Sequence, residues 1–254
     1  MMRVATYNVR VDTDYDQDWQ WRFRQDKVCS LIAFHDWDLV AIQEVRPNQV
    51  RDLTQLDAYS VLAQERDGDG TGEGLALLIK KAKYHISDHG AFWLSETPEQ
   101  PSIHPDAAYR RVCVWAIVQE RATAKASLVV DVHLDNESEV ARYSGMKVVL
   151  RQLAQQIAAY PTIILGDFNA EPEERVHGLL AENFTNAKAL ADIPHYGPVG
   201  TFQNFQYSLP WSQLEKIDYI YTKGYEIKAT GVLTDSFDNK YASDHFPLEA
   251  RLVN

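Results

Sequence analysis

The 254-residue sequence contains only two cysteines, Cys29 and Cys113. Cys29 falls in a helical pattern and Cys113 in a strand pattern, each beside apolar residues, which predicts two buried, reduced thiols. Their spacing does not match a cysteine metal knuckle. A chain of this length buries most of its unfolded surface, so we expect it to fold without covalent links.

Long hydrophobic runs are also missing. No stretch approaches the roughly 18 apolar residues of a membrane-spanning helix, and the N-terminal MMRVATYNVRVD lacks the apolar segment of a secretory signal. We therefore expect a cytoplasmic protein with no membrane partner. No repeat, low-complexity tract or block of like charges marks a linker, which predicts a single domain over residues 1–254 with a monomer as the favoured state.

Positive charge is scarce, and the formal net charge is −11. Proteins that grip long duplex DNA usually present a basic face, because neutralising phosphates supplies much of their affinity. The acidic total makes such a partner less favoured. It remains compatible with a small phosphorylated molecule, or with a short nucleic acid held through bridging cations.

A strand-forming run ends in two polar residues in IILGDFNAEPEE, residues 163–174. Side chains alternate along a strand, so Asp167 and Asn169 are expected on one side with Phe168 in the core. Ligands of open α/β sheets usually bind at the carboxyl ends of strands. A simple polar turn is the alternative at this point, since Gly, Asp and Asn all form turns.

Apolar patterning along the chain predicts strands interrupted by a few helices. The predicted strands are 3–11, 38–45, 74–81, 90–95, 111–120, 127–134, 162–165, 216–223, 226–235 and 247–253. The predicted helices are 23–35, 48–56, 137–159 and 173–182. Helical crossovers mixed with directly connected strands favour an α/β protein whose mixed sheets are covered by helices.

Polar residues recur where the predicted strands begin or end: Asn8, Glu44, His133, Asp135, Asp167, Asn169, Asp244 and His245. Asp218 instead lies inside the apolar run IDYIY, where a carboxylate must be paired or face a site. Hard oxygen ligands without cysteine suit Mg²⁺ or Mn²⁺. Histidines and an asparagine add donors for an oxyanion and for proton transfer. Carboxylates, histidines and an asparagine in this combination fit metal-assisted phosphoester hydrolysis.

The motifs TYNVR, IQEV, VHLDN, LGDFNAEP, KIDYIY and SDHFPL, in this order from Tyr7 to Leu248, resemble the endonuclease/exonuclease/phosphatase superfamily related to deoxyribonuclease I. FWLSETPE, RRVCVWA and VLTDSFD are most similar to small bacterial members of unassigned substrate. The resemblance implies a four-layer α/β/β/α sandwich, with two mixed β-sheets face to face, helices outside and the site at one end.

The resemblance also implies a metal site and a place for the attacking water. Glu44 corresponds to the principal ligand of Mg²⁺ or Mn²⁺, with Asn8 and Asp244 near the same cation. Asp167 would orient or deprotonate the water, and Asn169 would hold that water or a phosphate oxygen.

Five further positions match residues around the phosphate. His245 would contact the scissile phosphate while Asp218 fixes its tautomer, and His133 is a candidate general acid on the leaving-group side. Glu73 falls where relatives place a carboxylate beside that histidine, and Arg111 matches an arginine that could fork onto phosphate oxygens.

Two positions depart from the family pattern. Close relatives often have an asparagine two residues before the site histidine and a histidine three residues after it, where this chain has Asp131 and Asn136. Asp131 adds a charge that would strengthen cation binding or repel an anionic substrate. Asn136 takes the place of a possible second histidine, which argues against a two-metal arrangement or alters a substrate contact on that side, and we place Asn136 with Arg111 and Glu73 among the substrate-binding residues.

Two aromatic segments stay open to two interpretations. The loop QNFQYSLPWSQ (203–213) and the segment WQWRF (19–23) carry more aromatic rings than a solvated loop needs. They either wall the substrate pocket by stacking on a ring, or pack on their own side chains.

The leading hypothesis is a divalent-metal-dependent phosphoesterase that hydrolyses a phosphodiester by in-line attack of water. The first alternative is a phosphomonoesterase of a phosphorylated small molecule. The second is a catalytically silent binding module on the same fold, which would predict loss of Glu44, Asp167 or His245; all three are present.

Overall fold

The computed structural model describes residues 1–190 and 193–254. Its strands are β1 (Met2–Asn8), β2 (Leu39–Val45), β3 (Tyr59–Glu65), β4 (Gly74–Lys80), β5 (Tyr84–Trp93), β6 (Val112–Glu120), β7 (Ala126–His133), β8 (Thr162–Asp167), β9 (Thr185–Asn186), β10 (His195–Tyr196), β11 (Asp218–Lys223), β12 (Glu226–Val232), β13 (Ser236–Phe237), β14 (Lys240–Tyr241) and β15 (Leu248–Val253). Its α-helices are α1 (Trp21–His35), α2 (Pro47–Leu53), α3 (Glu139–Gln152), α4 (Ala154–Ala159) and α5 (Arg175–Ala181).

The long strands form two sheets. In the described part of the chain, one sheet has seven strands in the order β10-β12-β15-β1-β2-β4-β3, and the other has six in the order β5-β6-β7-β8-β11-β9. β1 runs parallel to β2, and β7 runs parallel to β8. Most other neighbours, including β1 and β15, are antiparallel. Both sheets are therefore mixed, as predicted.

Alternating apolar residues give each sheet two buried faces. In β2, Leu39 and Ala41 lie in the core between the sheets, whereas Val40 and Ile42 lie in a second core with Ile32 of α1. The alternation follows directly from the period of two along a strand. The seven-stranded sheet is thus covered by helices on the side away from its partner.

The six-stranded sheet repeats this arrangement. Ile163 and Leu165 of β8 face the other sheet, and Ile164 packs in a third core with Met146 and Val149 of α3. Helix, sheet, sheet and helix follow one another. The predicted α/β/β/α sandwich is confirmed.

The structure differs from the predicted elements at several places; β5, for example, begins at Tyr84, before the predicted strand over 90–95. Two of the other differences have a clear physical cause. The strand β3 was not predicted, because this edge strand is only partly buried and its apolar and polar residues do not alternate cleanly. The helix predicted over 137–159 is divided into α3 and α4 at Leu153, whose φ of −101° and ψ of 14° leave the helical range. Within the described ranges, no helix is both long and apolar enough to cross a membrane.

The topology gathers many loops at one end of the sandwich. The carboxyl ends of β1, β2, β7 and β8 lie there, because each pair is parallel. The antiparallel neighbours β4, β6, β11 and β15 begin at the same end. Residues that end the first group of strands therefore meet residues that precede or begin the second.

Candidate active site

Asp167 ends β8, and the chain turns immediately after it. Phe168 is fully buried, as the sequence predicts. Asn169 has a φ of 48°, so it leaves the strand in the left-handed region. Its backbone N–H donates to Asp167 Oδ1 at 2.9 Å, and its side-chain amide donates to the Leu134 carbonyl at 3.0 Å. A turn, and not the predicted strand alternation, brings Asp167 and Asn169 together.

The Asp167 carboxyl is the centre of the site. Its Oδ2 accepts a hydrogen bond from the Asn8 amide at 3.0 Å, and it lies 3.6 Å from His133 Nε2 and 3.7 Å from His245 Nε2. Burial, followed by the nearby Asp218 carboxylate, raises the pKa of Asp167 to about 7. A group with such a pKa exchanges a proton readily near neutral pH.

Asp218 and His245 form a buried pair behind this centre. His245 Nδ1 lies 2.8 Å from Asp218 Oδ2, which leaves Nε2 directed toward Asp167. Burial opposes the charged imidazolium, but the Asp218 carboxylate outweighs it and raises the pKa of His245 to about 10. The pairing explains how a carboxylate is tolerated within the apolar run of β11.

Glu44 enters the site from an irregularity in β2. The register between β2 and β4 shifts between Gln43 and Val45, and Glu44 has a φ of 62°. A bulge of this kind re-aims one side chain of a strand. Glu44 Oε1 accepts from the Asn8 amide at 3.0 Å and Oε2 from the Val11 N–H at 2.9 Å. Burial acts against ionisation, but these two hydrogen bonds lower the pKa of Glu44.

Asn8, Glu44 and Asp244 form what we call the acidic flank. Asp244 Oδ1 accepts from the Ser243 hydroxyl at 3.2 Å, and Oδ2 lies 3.8 Å from Arg10 Nε. Burial mainly raises the pKa of Asp244, and the Glu44 carboxylate raises it further. Two carboxylates that oppose each other's ionisation, together with an amide oxygen, are a donor set that suits Mg²⁺ or Mn²⁺. The residues therefore fit the metal that the resemblance implies.

A second group of donors is less suited to a metal. Among the described residues, one ligand atom each of Asp167, Asp218 and His245 lies within 4.8 Å of the others. However, His245 Nδ1 already bonds to Asp218. A histidine oriented by a carboxylate is better explained as a proton-transfer or phosphate-binding pair.

His133 separates the acidic flank from a pair of arginines, Arg66 and Arg111, which we call the basic flank. Both guanidinium groups lie against the Glu73 carboxylate; Arg66 forms an ion pair with it, and Arg111 Nη1 is 3.9 Å away. Arg111 Nη2 also donates to Asn136 Oδ1 at 2.8 Å. Burial, then Arg111 and Arg66, lowers the pKa of His133 well below its usual range.

The predicted site residues therefore gather at one end of the sandwich. All but Asp244 contact another predicted site residue through a side chain, and Asp244 directly precedes His245 in the sequence. Sequence reasoning assigned no role to Arg10 or Arg66. Arg10 stands two residues after Asn8 in TYNVR, so proximity within the motif could have indicated it. Arg66 directly follows β3 and begins a loop at the site. Because β3 is not evident from the sequence pattern, the position of Arg66 is not evident either.

Asp131 does not add the charge to the site that its position suggested. It is fully buried between the two sheets, where its Oδ1 accepts from the Gln43 side-chain amide at 2.7 Å. Burial raises the pKa of Asp131 well above its usual range. The neutral carboxyl is therefore favoured, and it acts as an interior polar contact between β2 and β7.

The two aromatic segments meet each other. Trp19 and Phe205 stack with ring centroids 4.5 Å apart, Lys240 Nζ lies 5.0 Å from the Trp19 ring centre, and Arg24 lies 5.5 Å from that of Phe205. These contacts favour internal packing for this pair. Phe202 is different, because its ring lies 4.9 Å from the His245 ring and borders the site.

Comparison with protein families places this geometry in a known context. The family model described as Endonuclease/Exonuclease/phosphatase family matches residues 5–245. The match spans both sheets and every site residue described above.

Solved structures of similar proteins have the same overall fold. A functionally unknown conserved protein from Enterococcus faecalis V583 is 56% identical, with a TM-score of 0.96 and 99% of each chain covered. The mannosyl-6-phosphatase Bt3783 of Bacteroides thetaiotaomicron VPI-5482 is 28% identical, with a TM-score of 0.93 and 100% of each chain covered. D. rerio TDP2, complexed with a single-strand DNA product, is 17% identical with a TM-score of 0.79, covering 100% of this chain and 99% of that one, and shares the fold.

Proposed function

The chain belongs to the endonuclease/exonuclease/phosphatase family, and we propose that it is a divalent-metal-dependent phosphoesterase that cleaves its substrate by in-line attack of water. One observation carries the proposal. Asp167 Oδ2 is held by the Asn8 amide and faces both His133 and His245, while Glu44 shares the same amide. Base, phosphate-binding histidines and metal-ligating oxygens thus converge on one small space.

Asp167 and Asn169 are assigned to the attacking water. The pKa of Asp167, raised to about 7 by burial and Asp218, suits a group that takes a proton from water at neutral pH. Asn169 holds the Asp167 carboxyl through its backbone N–H. We assign its side chain to the water or to a phosphate oxygen.

The histidines are assigned to the phosphate. Asp218 keeps His245 positively charged against the effect of burial. The Nε2–H group of His245 would then donate a hydrogen bond to a phosphate oxygen. His133, whose Nε2 lies 3.6 Å from Asp167 Oδ2, is the candidate that serves the leaving-group oxygen. Its lowered pKa keeps it neutral until an anionic group binds beside it.

Glu44, Asp244 and Asn8 are assigned to Mg²⁺ or Mn²⁺. A cation held there would polarise a phosphate oxygen as a Lewis acid. Asn8 Oδ1 accepts a hydrogen bond from the Arg10 N–H, and a carbonyl oxygen has a second lone pair that remains for a metal.

The leaving group distinguishes two candidate substrates. Sequence reasoning placed a phosphodiester first, as a small molecule or a short nucleic acid. The resemblance over the full length to a mannosyl-6-phosphatase favours a phosphomonoester of sugar size as the second candidate. We retain the cytoplasm as the proposed location, a monomer as the proposed state, and one domain as the proposed organisation.

The test is hydrolysis of p-nitrophenyl phosphate and bis-p-nitrophenyl phosphate by chelator-treated protein, with Mg²⁺ or Mn²⁺ then restored. His245→Ala removes the proposed phosphate contact, and His85→Ala, an exposed histidine of β5, is its control. We expect metal-dependent release that His245→Ala abolishes and His85→Ala preserves. Release without added metal, or release that survives in His245→Ala, contradicts the proposal. A folded protein that releases nothing from either ester supports the silent binding module.

A further inference from the structure

The family resemblance already implies a phosphate contact for Arg111; we propose that Arg66 joins Arg111 in binding a dianionic phosphate, so that the substrate class is the phosphomonoester. The inference rests on the proposed phosphoesterase function and narrows it. The basic flank lies beside His133, whose Nε2 is 3.6 Å from the central Asp167 carboxyl. An anion on the two guanidinium groups would therefore lie next to the reacting centre.

Arg111 is buried and Arg66 is largely buried, and each keeps a donor that has no acceptor. Their side chains are only 14% and 7% exposed for Arg66 and Arg111 respectively. The Nε atom of each is buried and has no hydrogen-bond partner. Because a guanidinium carries five N–H donors and buried charges are normally paired, each group retains donor capacity for a ligand.

The charges of the flank do not balance. Two guanidinium groups lie within ion-pair distance of one carboxylate, that of Glu73, and the further acceptor Asn136 is neutral. The carboxylates of Asp135 and Glu44 also act on Arg111, but outside ion-pair distance. Burial, followed by the Glu44 carboxylate, raises the pKa of Glu73, which weakens its hold on the second cation. This excess of positive charge stands in a chain with a formal net charge of −11. A ligand with two negative charges would compensate it.

Glu73 occupies the place that the phosphate would take. The cavity bordered by Arg66, Glu73, Arg111 and His133 has a volume of about 10 Å³, which holds about one water molecule. A phosphate can lie between the guanidinium groups only after the Glu73 side chain moves aside. Glu73 is thus an internal carboxylate that keeps the two arginines apart and oriented until the substrate replaces it.

Tyr109 limits what can extend beyond the phosphate. Its ring centre lies 4.7 Å from Arg66 Cζ and 5.8 Å from Arg111 Cζ, so it covers both guanidinium groups. A phosphomonoester carries close to two negative charges at neutral pH, because its second pKa is about 6. A diester carries one charge and a second substituent, which Tyr109 would crowd. Two guanidinium groups that can each bind a pair of phosphate oxygens therefore favour the more highly charged monoester.

The test compares Arg66→Ala with Arg110→Ala, its exposed neighbour from the adjoining loop. We expect Arg66→Ala to lower kcat/KM for p-nitrophenyl phosphate by about 10- to 100-fold, the loss of a charge-assisted contact, and for bis-p-nitrophenyl phosphate by less than about threefold. Calorimetric binding of inorganic phosphate with Mg²⁺ present should weaken by a similar 10- to 100-fold. Arg110→Ala should change neither quantity.

Equal losses for both esters in a folded Arg66→Ala variant would overturn the inference, as would unchanged phosphate binding. Arg66→Lys keeps a charge without the fork and should recover only part of the monoester activity; full recovery would contradict the forked contact. If the parent protein hydrolyses neither ester, the proposed function fails while phosphate binding still decides the role of Arg66. Hydrolysis of both esters without discrimination by Arg66 rejects only the narrower inference.

Discussion

The acidic flank contacts Asp167 and the basic flank borders His133, and the two flanks are built differently. On the acidic flank, Glu44 accepts hydrogen bonds from neutral donors, the Asn8 amide and the Val11 N–H, and Arg10 acts on it only at longer range. On the basic flank, two arginines share a single carboxylate. One side therefore suits a cation and the other an anion, and the proposed metal and the proposed anion are assigned to different residues.

The largest expected effect comes from the residue between the flanks. Asp167→Asn removes the proposed proton acceptor but retains an oxygen for the Asn8 amide, so the fold and both flanks should persist. We expect kcat to fall by about 10²- to 10⁴-fold. Steady-state kinetics on the better of the two nitrophenyl esters measures it, with the exposed Asp57→Asn as control. A variant that keeps more than a tenth of the parent kcat would show that Asp167 is not the base.

Breaking the acidic flank should abolish metal binding while sparing the basic flank. Glu44→Gln removes a negative charge from the proposed ligand set, and we expect Mn²⁺ affinity to weaken by at least about 10- to 100-fold. The Mn²⁺-induced rise in Tm should disappear in this variant. Glu182→Gln, at an exposed position, and Arg66→Ala should both keep the rise. Its loss in Arg66→Ala would mean that the two flanks are one coupled unit.

Asp131 is a buried carboxyl group of a different kind. Its pKa is raised, whereas the pKa of Glu44 on the acidic flank is lowered. Burial raises the pKa of Asp131 above that of the unfolded chain, near 3.9. The folded state therefore loses stability as pH rises from about 4 toward the folded pKa, by at most about 1.4 kcal/mol per pH unit. Asp131→Asn does not titrate, so its stability relative to the parent should increase between pH 5 and pH 8.

Urea denaturation at the two pH values measures this difference, and Asp57→Asn should show none. A variant whose stability relative to the parent is the same at pH 5 and pH 8 would show that the pKa of Asp131 is not raised in the folded protein.

The smallest effect on activity is expected from the stacked aromatic pair, Trp19 and Phe205. Trp19→Ala removes the stack with Phe205, which should lower the free energy of unfolding by about 1–2 kcal/mol. Because Lys240 and Arg24 also lie over this pair, we expect kcat/KM to change by less than about threefold. Trp211, which is exposed, is the control position. A tenfold loss of kcat/KM would revive the interpretation of these rings as a substrate wall.

The fold was largely predictable because its central strands are continuous apolar runs. The prediction of residues 38–45 agrees with β2 (Leu39–Val45) to within one residue, and both its faces are buried. β3 lies at an edge and contacts its sheet through one neighbour, β4. Its sequence therefore carries a weaker periodic signal, and it was missed.

The site was predictable in its residues and less so in its geometry. Motifs indicated Glu44 and Asn169, but the left-handed backbone of both residues depends on long-range packing that no local pattern encodes. Asp131 shows the converse, because its position in the motif suggested a site charge while its side chain lies between the sheets. Burial, and not residue type, determined its role.

The most direct test of the account is a Mn²⁺ titration of the chelator-treated parent protein, with ester hydrolysis and Tm followed at the same concentrations. The account predicts that both rise together and saturate over the same range, since one cation on Glu44, Asp244 and Asn8 serves binding and chemistry. The account would be contradicted if the rate of hydrolysis were already maximal without metal, or if Mn²⁺ changed neither the rate nor Tm.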